Sequence, residues 1–180
     1  TKNYVVDYKN GKLTITSPDT VIVTIRGNKD TVEYNGQKHE VNGYEVVSIS
    51  NPLYTTDDFG FATGAAAHAE GTDAGDYPMN LTKDSFVNRN ANFSAVTSIV
   101  EDGKLTITKR GAGENKVKIT ANDNTVNYDG QPHGENGYTS EYLADGHKVQ
   151  SVVISGTEIA VGEYKNKLVP SDAKIVDKAG

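Results

Sequence analysis

The sequence predicts an all-β protein made of two tandem, small antiparallel modules, β-sandwich or β-grasp-like in kind. Three observations carry this. Short runs rich in Val, Ile, Thr and Tyr alternate apolar with polar residues, as in "KLTIT" (104–108) and "VKIT" (117–120), which is the period of a half-buried strand. Asn-Gly or Asp-Gly pairs punctuate the chain at Asn10-Gly11, Asn35-Gly36, Asn42-Gly43, Asp102-Gly103, Asp129-Gly130 and Asn136-Gly137. Such pairs accept the positive φ angles of tight hairpin turns. Finally, the chain repeats itself.

The repeat sets the domain plan. "TVEYNGQKHEVNGY" (31–44) returns as "TVNYDGQPHGENGY" (125–138), with Tyr34 and Tyr128 94 positions apart. Upstream, "VIVTIRGNKDTVEY" (21–34) aligns without gaps on "NKVKITANDNTVNY" (115–128), so Val23 falls on Val117, Ile25 on Ile119 and Val32 on Val126. "NGKLTIT" (10–16) returns as "DGKLTIT" (102–108), with Gly11 and Gly103 92 apart. "GDYPMNL" (75–81) pairs more weakly with "GEYKNKL" (162–168), and Gly75 and Gly162 are 87 apart. The first copy therefore carries about seven extra residues between Tyr44 and Gly75. They are expected in the loop 51–71, because loop insertions cost little closure entropy. The phase assigns residues 1–16 to the tail strands of a preceding module. It makes 17–108 a first complete β module and 109–180 a second, C-terminally incomplete one.

Element by element, "NYVVDY" (3–8), "YEVVSI" (44–49) and "SVVIS" (151–155) read as strands. "GAAAHAEG" (64–71) has helix-forming alanines but glycine at both ends; strand or loop is expected, with at most one helical turn. No window of a dozen residues carries a helical apolar stripe. Val32 and Tyr34 share a strand face, as do Val126 and Tyr128, and that face is expected to be core. Asn35-Gly36 is expected to bend a hairpin. The second copy lacks the strand that 1–16 resembles, so an open edge is expected there, which invites another chain.

Composition narrows the function classes. With 36% hydrophobic and 23% charged residues, the chain suits two modest cores. The absence of cysteine excludes disulfides, cysteine nucleophiles and cysteine-bound zinc. A net charge of −6 argues against nucleic-acid binding, which needs basic patches. No apolar run approaches the roughly 20 residues of a membrane span. No signal peptide starts at Thr1, which fits a fragment of a larger exported protein as well as a cytosolic one.

Candidate chemistry is sparse. His39 and His133 occupy equivalent positions with no second ligand nearby in sequence, and read as turn residues carried through the duplication. Asp57, Asp58, Glu70, Asp73 and Asp76 make an oxygen-rich stretch, but their spacing misses the alternate-position calcium loop. Solvated acids are expected, and 57–76 is where calcium would bind if anywhere. There is no Gly-x-Ser-x-Gly elbow and no local signal marking a carboxylate pair. Catalytic residues, cofactors and metal ligands are accordingly assigned to none. Tyr54, Phe59 and Phe61, in or beside the 51–71 loop, are the candidate ligand contacts.

Five blocks in one order carry a family resemblance: "TVEYNGQKHEVNGY", "ISNPLYTTDDFGF" (49–61), "AEGTDAGDYPMNL" (69–81), "NRNANF" (88–93) and "DGKLTIT". They resemble the MBG-type (mostly-β, glycine-rich) repeats of large Gram-positive cell-surface proteins, common in gut Firmicutes. "NTVNYDGQPH" (124–133), "GHKVQSVVISGTEIAVGEYKNKL" (146–168) and "AKIVDKAG" (173–180) are similar to a sister type. That type normally continues to another GKLTI. The resemblance implies an exported, tandemly arrayed, wall- or surface-located stretch without catalytic residues. Its partners would be neighbouring modules of the same array, with host glycan or protein as a further candidate. It implies no nucleic acid and no membrane insertion in this fragment. The expected role is a stalk or spacer of a surface adhesin. The alternative is a binding module for host glycan or matrix protein through the 51–71 loop.

Overall fold

The computed structural model describes residues 3–16, 18–93, 96–113, 116–177 and 180, and of residues 97 and 99 the backbone. Residue 17, the expected module boundary, lies outside the described residues. The chain is all-β, and among the described residues the helical turns are single 3-10 turns at Thr56–Asp58 and Lys83–Ser85.

The first half holds β1 (Val21–Gly27), β2 (Lys29–Glu33), β3 (His39–Asn42), β4 (Tyr44–Ile49), β5 (Phe59–Phe61), β6 (His68–Gly71), β7 (Gly75–Pro78), β8 (Phe86–Asn88), β9 (Val96–Glu101) and β10 (Lys104–Thr108). β1 and β2 form one run, broken at Asn28, and β9 and β10 lie beside it in parallel. The register goes from Val21↔Val96 to Arg26↔Glu101, then from Lys29↔Lys104 to Glu33↔Thr108. β4 flanks β1 and β7 flanks β10, giving the sheets β4-β1-β9 and β2-β10-β7. At the break the two runs touch. A Cβ on Gly27 would stand 2.3 Å from the backbone nitrogen of Gly103, so only glycine permits this approach.

Two details differ from the expectation of purely antiparallel hairpins. The β1–β9 and β2–β10 ladders are parallel, which the long excursion through 34–95 makes possible, since parallel neighbours need a crossover. Gly36 does adopt φ +79 at the repeated turn. The strands it links nevertheless pair elsewhere, β2 with β10 and β3 with β6, so it is a corner rather than a hairpin.

The core follows the alternation. Val21, Val23 and Ile25 of β1 and Leu105 and Ile107 of β10 are fully buried, with Val32 and Tyr34 packed partly buried against them. Burying each such aliphatic side chain contributes about 1.5–3 kcal/mol. An aromatic cluster closes the other side, where the Tyr54 ring meets Phe93 edge-on at 5.0 Å and Phe61 stacks on Phe86 at 5.1 Å.

The second half holds β11 (Lys118–Ala121), β12 (Tyr138–Glu141), β13 (Lys148–Ser155) and β14 (Val169–Val176). Among the described residues all ladders stay within one half or the other. The framework of the first half recurs in detail. Ala121↔Tyr138 repeats Gly27↔Tyr44. The strap from Asn28 Nδ2 to the Asn42 carbonyl (2.7 Å) returns from Asn122 to Asn136 (3.0 Å). The His39↔Gly71 pairing returns as the isolated bridge His133↔Glu158. The Tyr77 hydroxyl donates to the Asp73 carbonyl (2.8 Å), and Tyr164 does the same to Ala160 (3.1 Å). The offset is thus 94 at Tyr44 and 87 by Gly71, so the extra residues of the first copy lie between them.

Burial does not recur. Ala144 is the one buried apolar residue among those described in the second half. Val126 and Tyr128, expected to be core, are 49% and 66% exposed. The reason is topological: no described residue occupies the seats that β9 and β10 fill in the first half. Residues 3–16 form no strand, and their large apolar side chains stand in solvent.

Candidate binding groove

A groove of about 1030 Å³ opens in the second half between residues 119–128 and 159–168. Its walls are the counterparts of β2 (now 123–127) and β7 (now 162–165). In the first half β10 lies between those two strands. Apolar atoms of Ile119, Val126, Ile159 and Tyr164 line it, and neither wall is paired as a strand. A wall whose backbone is not engaged in a ladder, beside apolar side chains, is chemically suited to an added strand of alternating pattern.

The two halves meet through few, direct contacts. The Tyr34 hydroxyl and His147 Nε2 are 2.8 Å apart, with their rings edge-on at 5.6 Å. The Gly111 N–H crosses to Glu33 Oε1 at 3.3 Å, and beside it, within the second half, Arg110 Nε donates to the Tyr142 carbonyl at 2.6 Å. Tyr34 thus packs on its own core with its ring while its hydroxyl holds the joint. No local pattern around Tyr34 points to this partner, 113 residues away.

The candidates named from sequence fall elsewhere. Tyr54 and Phe59 are 2% and 4% exposed, and Phe61 is partly buried against the core. They are core residues rather than an aromatic contact surface; the sequence put them in a loop, and the 3-10 turn at 56–58 folds that loop inward. The Tyr54 hydroxyl donates within the same turn region, to the Asp58 carbonyl at 2.9 Å. Within 51–71 the exposed large apolar side chain is Leu53.

His39 and His133 brace their own turns. Asn35 Oδ1 accepts from Gln37 N (2.9 Å) and contacts His39 Nε2 (2.9 Å). Asp129 Oδ1 accepts from Gln131 N (2.9 Å) and contacts His133 Nε2 (2.8 Å). The repeated stretch is therefore a self-braced corner, and its chemistry is spent on the bend. The Gln131 N–H, followed by His133, holds the Asp129 carboxyl below its ordinary value.

The acids of 57–76 do not converge. Asp58 accepts from Thr55 N at 2.6 Å and from Asn90 at 2.8 Å, and the Thr55 N–H lowers its pKa. Asp76 is held low first by the Thr106 hydroxyl (2.7 Å) and then by Lys104 (3.0 Å). Glu70 is held low first by Lys38 and then by His68. Glu40, His68 and Glu70 do bring ligand atoms within 4.8 Å of one another. However, both His68 ring nitrogens already face oxygens, Asn42 Oδ1 at 2.7 Å and Glu70 Oε2 at 2.9 Å. Lys38 also supplies the local cation, 2.6 Å from Glu70.

Fold and site together define an all-β chain of two related halves, one closed over its core and one open at a strand-shaped groove. No protein-family model, curated protein or solved structure matches it. Among the described residues, no helix is long and apolar enough to cross a membrane.

Proposed function

We propose that the chain is a non-enzymatic, extracellular repeat segment that acts as a stalk or spacer of a bacterial surface adhesin. One observation carries this reading: the same framework of corner, strap and ladder is built twice and joined by a short, directly contacted connection. A duplicated framework whose His and Asx side chains are used up in bracing turns adds length rather than chemistry. The resemblance to MBG-type surface repeats supports the location. Protease shaving and antibody labelling of intact cells that produce the natural protein test it. Accessibility from outside is expected, and recovery solely from the cytosolic fraction would sink the reading. Binding of host glycan or matrix protein through 51–71 ranks second, since Leu53 remains exposed there. A glycan array and a matrix-protein binding assay, each comparing the parent with a variant trimmed across 51–71, would separate the two.

A further inference from the structure

We propose that the groove of the second half takes residues 4–16 of a second copy of this chain as a donated strand pair, so that molecules join head to tail. The register of the repeat supports this donation independently of the stalk reading.

In the first half the seats in question are filled by 96–108. Aligning Gly11 on Gly103 carries each of these positions onto 4–16. The inward positions of β9 and β10 are 96, 98, 100, 105 and 107: Ser98, Leu105 and Ile107 are buried, and Val96 and Val100 are half-buried. Their counterparts are Tyr4, Val6, Tyr8, Leu13 and Ile15, all apolar. Leu13 and Ile15 are 84% and 87% exposed, whereas Leu105 and Ile107 are 0% and 1% exposed. The segment thus carries a complete inward face that no described residue covers.

The charges match as well. In the first half Glu101 pairs with Lys29 at 2.8 Å, and Lys104 with Asp76 at 3.0 Å. In the donated arrangement Glu101 becomes Lys9 and Lys29 becomes Asp123, the same pair with its signs exchanged. Lys104 becomes Lys12 and Asp76 becomes Glu163, the same pair with its signs kept. An apolar face alone would fit many strands; these two pairs fit this one.

The donor is a second copy because of the tether. Seated like β10, Thr16 stands beside Asn127, as Thr108 stands beside Glu33. Thr16 is five residue steps from Val21, a reach of about 18 Å at most. Val21 ends the run 21–33 and Asn127 the run 116–127, and each stands up to about 40 Å of contour from the joint where the Gly111 N–H meets Glu33. The contact is heterologous, with one end giving and the other receiving, and such contacts build open chains or rings.

The chain has no cysteine, so two single variants report the contact directly. Thr106 is registered on Thr31, which places Thr14 beside Thr125. Thr14→Cys and Thr125→Cys proteins, mixed and treated with a short bismaleimide, are expected to give a covalent heterodimer. Sedimentation of the parent is expected to show a concentration-dependent ladder of oligomers. Leu13→Asp with Ile15→Asp should abolish both while leaving the unfolding of the first half unchanged, because these side chains already stand in solvent in the lone chain. A parent that stays monomeric at every concentration with no heterodimer overturns the proposal. So does cross-linking confined to a single chain that carries both cysteines, which would place the segment in its own groove.

Discussion

The two halves share their corners and straps but not their core. Both bend at a braced Asx corner, both tie Asn28 or Asn122 across the next turn, and both pair the strand before that turn with the one after it. In one half Val23 and Ile25 are fully buried; in the other Val117 and Ile119 stay partly exposed. The difference is β9 and β10. Local hydrogen-bonded geometry thus forms without closure of the sheet, whereas burial depends on a strand pair that arrives last in sequence.

Substitutions at matched positions should break this symmetry. The largest effect is expected at the closing strand. Leu105→Ala or Ile107→Ala should cost about 2–5 kcal/mol of first-half stability, whereas Val126→Ala in the lone chain should stay within about 0.5 kcal/mol. Urea unfolding monitored separately for each half checks both. Next is the crossing of the two runs. Gly27→Ala drives a methyl into the Gly103 backbone and should cost about 1–3 kcal/mol. The second half already carries Ala121 at that position, so a donated Gly11 must pass it at a wider separation. Ala121→Gly should then tighten the head-to-tail contact without destabilising the first half, as read by sedimentation and urea unfolding on one preparation.

Smaller effects test the joint and the charges. Tyr34→Phe removes the hydroxyl that meets His147 and should weaken the joint by about 0.5–1.5 kcal/mol. Limited proteolysis within 109–113 should accelerate, and Tyr128→Phe should leave it unchanged. Acid should act mainly on the first half. The carboxyls of Asp58, Glu70, Asp76 and Glu101 are held below their ordinary values of 3.8 for Asp and 4.5 for Glu. For Glu101 the main cause is Lys29, followed by Arg26. Folded carboxyls with lowered pKa bind fewer protons than unfolded ones. Their stabilisation is therefore complete above those ordinary values and is lost as pH falls through the lower, folded ones. Urea midpoints taken from about pH 6 to about pH 3 should fall along the acid limb, and Glu101→Gln should flatten that limb. The smallest effect concerns the exchanged ion pair. Lys9→Glu should weaken assembly about two- to five-fold, and adding Asp123→Lys should restore it; failure of the rescue would remove that pair from the register.

Much of this fold was legible in sequence. The alternation of "KLTIT" marked Leu105 and Ile107 as inward, and the matched blocks located the duplicated framework. Three things were not legible. Partner choice for β2 depends on a strand 75 residues away (Val32 on Ile107), while its own turn chemistry points to a local hairpin. The inward fold of Tyr54 and Phe59 comes from a single 3-10 turn held by Thr55 and Asp58, too short to leave a periodicity. Tyr34 read correctly as packed on the core, but the role of its hydroxyl depends on His147, which no local pattern connects to it.

The parallel run also has a mechanical consequence. The chain enters the first half at Val21 and leaves at Thr108, at opposite ends of neighbouring parallel runs. Pulling on those two points slides one run along the other and loads every rung of both ladders at once, whereas pulling on an antiparallel hairpin opens its rungs in turn. The first half is thus a shear clamp along the chain axis. The second half shows no such pair among its described residues, so in single-molecule pulling it should yield first, at low force. A strand seated in its groove would be parallel to 123–127 and would give it the same clamp.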